Sequence, residues 1–115
     1  MRGKTGDKIR LQHILDAIDE IENYLQDVDY AQFAQNSMMR FACLKQLEIV
    51  GEACNHLTTE IMERYQDVEW AQIIGMRNVF IHEYFGVDLN LVWDIIQTDL
   101  PDLKMKIQAI NSEML

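Results

Sequence analysis

Apolar positions recur at steps of three and four along most of the chain, and no stretch alternates with a period of two. From Asp7 to Gln26, the residues Leu11, Ile14, Leu15, Ile18, Ile21 and Leu25 form one stripe on a charged helix, with Asp7 placed to cap its start. The segment from Asp29 to Asn36 predicts one or two short helical turns. Ser37 then opens a second long helix that reaches Leu57. Its apolar set (Phe41, Leu44, Leu47, Ile49, Val50, Ala53, Cys54, Leu57) covers more than one stripe, which predicts the most buried helix of the fold. Gly51 within it costs roughly 1 kcal/mol of helix stability relative to alanine, so its presence points to a close helix crossing.

Residues 58–66 form a further helical stretch that Thr58 or Thr59 caps, and residues 68–84 form the next helix. Gly86 suits the left-handed position after that helix, and Asp88 suits the cap of the one that follows. The final segment, residues 89–114, is helical and kinked or split at Pro101. One domain over residues 1–115, an all-α bundle of four to five helices, is the expected architecture.

Composition narrows this picture without changing it. With 49% hydrophobic and 25% charged residues, the chain is globular rather than disordered. It shows neither a signal peptide nor an apolar run long enough to span a membrane. Cys43 and Cys54 lie about 16 Å apart along one helix, too far to pair, so a cytoplasmic protein with reduced thiols is expected. The net charge of −9 removes the basic stripe of a general nucleic-acid binder, and DNA is not an expected partner. Any action on nucleic acid has to rest on a few focused cations.

Such cations stand in the stretch GMRNVFIHEYFGVD, residues 75–88, where Arg77, Asn78, His82 and Tyr84 crowd among apolar neighbours. Histidine exchanges a proton near neutral pH, and arginine forks onto phosphate oxygens and stabilises charge that builds on them. That combination suits cleavage of RNA without a metal, with the ribose 2′-hydroxyl as nucleophile. On one regular helix, however, Arg77 and His82 differ by about 140°. A working site therefore needs either local unwinding near the helix end or a second copy across a two-fold axis, which predicts a homodimer. The structural alternative is a buried arginine paired with an acid and a hydrogen-bonded histidine. Elsewhere, His13 reads as a surface or boundary residue, and Cys54 with His56 falls short of a zinc site, so no metal and no cofactor are expected. Trp70 and Trp93 read as core or dimer anchors, and Lys45 and Arg40 as phosphate contacts if they face the cleft.

The run Arg77-Asn78-x-x-x-His82-x-Tyr84, followed by Phe85-Gly86-Val87-Asp88, resembles the signature of the HepT-like branch of the HEPN toxins. Gly51-Glu52-Ala53 resembles another recurrent piece of that family, and the likeness spans essentially the whole chain. The resemblance implies a HEPN-like, dimeric helical bundle. It implies a metal-independent ribonuclease toxin of a type VII-like toxin–antitoxin pair, with Arg77 and His82 catalytic and Asn78 supporting. It also implies a minimal nucleotidyltransferase antitoxin that transfers AMP from ATP to Tyr84 and blocks the cleft. The rival expectation is a non-catalytic helical partner that docks or regulates a nucleotidyltransferase.

Overall fold

The computed structural model describes residues 3–82 and 88–114, with the backbone alone for Lys4 and residues 78–82. These residues form α1 (Gly3–Tyr24), α2 (Tyr30–Gln35), α3 (Ser37–Asn55), α4 (Thr59–Arg64), α5 (Trp70–His82), α6 (Leu89–Asp94) and α7 (Leu100–Glu113). A π-helical turn, Ile95–Asp99, joins α6 to α7. The all-α architecture follows the hydrophobic periodicity, with no strand among the described residues. None of the described helices is long and apolar enough to cross a membrane.

The long helices bury one face each around a shared core. Leu11, Ile14 and Ile18 of α1 are fully buried, as are Leu47 and Val50 of α3 and Ile107 of α7. Helix α3 lies between α1 on one side and α5 on the other, and α7 closes against α1. The apolar set expected on α3 is correct for Leu44, Leu47, Val50, Ala53, Cys54 and Leu57, whereas Phe41 is 49% exposed. Beside it, Met38 is 81% exposed.

Several caps act as the sequence leads one to expect. Asp88 accepts from the backbone N–H groups of Asn90 and Leu91 at the start of α6. Thr58 caps α4 through Ile61. Ser37 is the first residue of α3, and Asn36 before it supplies the cap by accepting from the Met39 N–H at 3.0 Å. Asp29 and Gln32 close a reciprocal capping box on α2. Trp70 is buried and donates from Nε1 to the Tyr65 carbonyl, while Trp93 sits among Tyr30 and Phe33 with ring centroids 5.9 and 5.1 Å away.

Asp7 departs from expectation. Helix α1 starts four residues before it, so Asp7 does not cap that helix. Its side chain is buried instead, accepting from the Thr58 backbone N–H at 2.9 Å and the Thr58 hydroxyl at 2.6 Å. The same hydroxyl accepts from the Ile61 N–H, so one carboxylate organises the start of α4 from across the fold. Asp7→Ala leaves two donors without their acceptor in a part-buried setting, and should cost about 2 kcal/mol. Urea denaturation of the variant measures that loss, and an unchanged midpoint would assign the contact no stabilising role.

Pro101 also acts differently from a simple kink or split. Proline has no N–H to give and crowds the carbonyl four residues back. The chain answers with a single wide turn just before it, in which the Leu100 N–H donates to the Ile95 carbonyl, five residues back. Helical dihedrals persist on both sides of that turn, so α6 and α7 continue as one rod.

Candidate active site

The candidate site is built on the crossing of α3 and α5, and Gly51 decides how close they come. A Cβ placed on Gly51 would lie 2.9 Å from the Arg77 Cβ, 3.1 Å from the Ile73 carbonyl oxygen and 3.2 Å from the Arg77 backbone nitrogen. No side chain larger than hydrogen fits there without moving α5. The close crossing expected from the sequence is therefore present, and it is Arg77 that it brings against α3.

Glu52, the next residue on α3, meets the arginine. Arg77 Nη1 donates to Glu52 Oε2 at 2.5 Å across the two helices. One turn further along α3, His56 Nε2 lies 2.9 Å from the other carboxylate oxygen, Oε1. One carboxylate thus serves two side chains, each oxygen engaged by a different partner. The hydrogen bond from Arg77, and then that with His56, holds the Glu52 carboxyl below its ordinary range, so it remains ionised into mildly acidic solution.

Arg77 is only 25% exposed in its side chain, while Glu52 and His56 are half exposed at 50% and 51%. The Nε–H of Arg77 is buried without a hydrogen-bond partner among the described residues. An unpaired buried donor of this kind costs about 1–3 kcal/mol. The guanidinium is therefore anchored at one nitrogen and unsatisfied at another. The structural alternative weighed for Arg77, pairing with an acid, is half realised: the acid is there, yet the arginine is not sealed from solvent.

Asn78 and His82 lie on α5, which is regular helix from Trp70 through His82. Their side chains, and all of Tyr84, lie outside the described residues. With α5 unbroken to His82, the unwinding that would swing Arg77 and His82 together does not occur within the helix. Lys45 is engaged by Glu48 at 3.7 Å, and Arg40 donates to the Ala34 carbonyl of α2. Cys54 is fully buried whereas His56 is half exposed and bonded to Glu52, so these two do not face a common ligand.

The role of Glu52 was not readable from spacing, because its partner comes from another helix 25 residues away. The signal was nonetheless present, an acid directly after the one glycine of α3.

A family model described as "Ribonuclease HepT-like" matches residues 14–110, most of the chain. The chain belongs to the HepT-like ribonuclease family. As a member of that family it is an endoribonuclease. Among its relatives, "Putative RNase MJ1380" of Methanocaldococcus jannaschii is 35% identical over 107 residues, which cover 93% of this chain and 98% of the relative. "Probable ribonuclease HepT" of Thermococcus cleftensis is 31% identical, covering 94% of this chain and 98% of the relative. "mRNA nuclease HepT" of Shewanella oneidensis is 25% identical, covering 91% of this chain and 70% of the relative. No solved structure gives a significant match. HepT-like membership gives the α3–α5 crossing its meaning, since the arginine that the crossing positions is the first residue of the motif that carries the resemblance.

Proposed function

We propose that the protein is the toxin of a type VII-like toxin–antitoxin pair, a ribonuclease that works without metal in a cleft shared by two copies. One observation carries this reading: Gly51 and Glu52 hold the Arg77 guanidinium at the surface of a regular α5 whose last described turn bears His82. With α5 regular through His82, this reading completes the site with a partner copy, Arg77 and His82 of both chains lining it.

The reaction then runs as follows. Neutral His82 takes the proton of the ribose 2′-hydroxyl, whose oxygen attacks the adjacent phosphorus. The bond from phosphorus to the 5′-oxygen breaks, and the protonated His82 of the partner subunit gives that oxygen its proton. The products are a 2′,3′-cyclic phosphate and a free 5′-hydroxyl. Arg77 balances the charge that develops on the non-bridging oxygens, and Asn78 orients His82 or a phosphate oxygen. A focused cation of this sort suits a chain whose net charge of −9 otherwise repels RNA.

Silencing rests on Tyr84. A minimal nucleotidyltransferase antitoxin transfers AMP from ATP to the tyrosine oxygen, with pyrophosphate leaving, and the added nucleotide blocks the cleft. The test uses purified protein whose intact mass shows Tyr84 unmodified, incubated with total cellular RNA in excess EDTA. Cleavage that leaves cyclic phosphate ends is the expected result. Loss of all cleavage in EDTA, restored by a divalent cation, would replace this mechanism with a metal-dependent one.

A further inference from the structure

Cys54 and His56 do not form a metal site, which leaves His56 with a hydrogen bond to Glu52 and no evident purpose. That contact gains meaning when Glu52 is considered from the side of Arg77. Glu52 is paired with the very charge that the arginine is needed to bring to a phosphate. The arginine also gives up something in this pose, since its Nε–H is buried without a partner among the described residues. A phosphate that engages Nε and Nη together, in the forked geometry arginine favours, satisfies that donor and replaces the Glu52 contact. Glu52 would then keep His56 as its one charge-bearing neighbour among the contacts described above.

We propose that Glu52 is a shared carboxylate that releases Arg77 to the incoming RNA phosphate and is taken over by His56. The inference rests on the ribonuclease reading above. His56 suits the task in position as well as chemistry. It caps the C-terminus of α3, where the negative end of the helix dipole favours a cation. It reaches the oxygen of Glu52 that Arg77 does not use. Glu52 comes from the same helix, and Arg77 reaches His56 from α5 through that carboxylate. Of the acids toward this end of α3, Asp7 of α1 is bound to Thr58, and Glu60 stands in the first turn of α4. Glu52 and His56 are thus positioning residues: neither touches the scissile phosphate, and both govern when the arginine is available to it.

The resulting coupling is reciprocal, so it is visible at His56. Removing Arg77 leaves the carboxylate to the histidine and should strengthen proton binding there. The experiment follows the His56 Cε1–H resonance through a pH titration in four full-length proteins: wild type, Arg77→Ala, Glu52→Gln and the double variant. The expected result is an upward move of the His56 midpoint in Arg77→Ala by about half a unit, a threefold gain in proton affinity. In the Glu52→Gln background, Arg77→Ala should move it by much less, because a direct repulsion between arginine and histidine is all that remains. Wild type is then titrated with an uncleavable 2′-O-methyl RNA. The His56 midpoint should rise as it does in Arg77→Ala, and Glu52→Gln should suppress that rise.

An equal response to Arg77→Ala with and without Glu52 would overturn the sharing. A His56 midpoint that ignores bound RNA, in protein that cleaves unmodified RNA, would overturn the hand-over while leaving the ribonuclease intact. The third outcome is different: His56 responds to Arg77→Ala through Glu52, yet RNA is neither bound nor cleaved. That would sink the ribonuclease reading, and with it the phosphate as trigger, but not the shared carboxylate.

Discussion

Alanine in place of His82 should reduce RNA cleavage by about 100- to 10,000-fold and leave the fold intact, the range expected when a positioned acid–base group is removed. The fold should survive for two reasons. Alanine is the best helix former, so the last turn of α5 gains rather than loses propensity. The anchors of that helix also lie upstream, in buried Trp70 and Ile73 and in the Gly51 crossing. Circular dichroism and thermal melting establish the fold, and an assay on total RNA with Tyr84 unmodified measures the loss. Equal cleavage by both proteins would remove His82 from the mechanism. Silence from both, alongside tight binding to a nucleotidyltransferase, would favour the rival expectation of a non-catalytic helical partner.

Valine in place of Gly51 should be the most damaging single change at the crossing. The atoms its Cβ would strike are the Cβ and backbone nitrogen of Arg77 and the carbonyl of Ile73, none of which is the movable end of a side chain. Relief therefore requires α5 to shift as a body away from α3. Overpacking of this kind costs typically 1–3 kcal/mol, and the two branched methyl groups of valine place this case at about 3 kcal/mol or more. For a chain of this size that corresponds to a fall in Tm of roughly 10 °C. The cleavage assay reads a second consequence. In the fraction that remains folded, Arg77 is carried with its helix out of the place the crossing gives it, so activity should fall by more than the unfolded fraction accounts for. A variant that melts with wild type would show that the helices do not depend on this contact.

Much of the fold was legible in the sequence because burial on one face of a helix leaves a period in the apolar positions. The stripe of Leu11, Ile14, Leu15, Ile18 and Ile21 on α1, with Leu25 just past its end, is buried throughout. Caps were legible where they act within a few residues, as at Thr58 and Asp88. Asp7 defeats the local reading for the same reason: its residue type suits a local cap, but its partner Thr58 lies 51 positions away. Proline signalled a disturbance near position 101, yet not that the disturbance would be a π turn.

The site divides along a similar line. Gly51 announced a close approach because a glycine within a helix has a cost that something else must offset. The identity of the approaching residue needed the third dimension, as did the Glu52 bridge to His56. Arg77 carries the motif in both sequence and structure, and Asn78 and His82 fall on the same helix as expected. Tyr84 lies outside the described residues, so its part rests on the resemblance alone.

The turn before Pro101 has a consequence for chain length. A π turn holds one residue more than the α turn it replaces, so the rod from Leu89 to Glu113 carries a spare position between Ile95 and Asp99. Deleting exposed Gln97 can draw that slack out, leaving Leu103, Ile107 and Ile110 facing the core they face now. The same deletion one turn later finds no slack. It rotates everything beyond it by about 100° and turns Ile107 and Ile110 toward water. The final helix thus tolerates a frame-preserving loss at one place along its length, and the proline marks where.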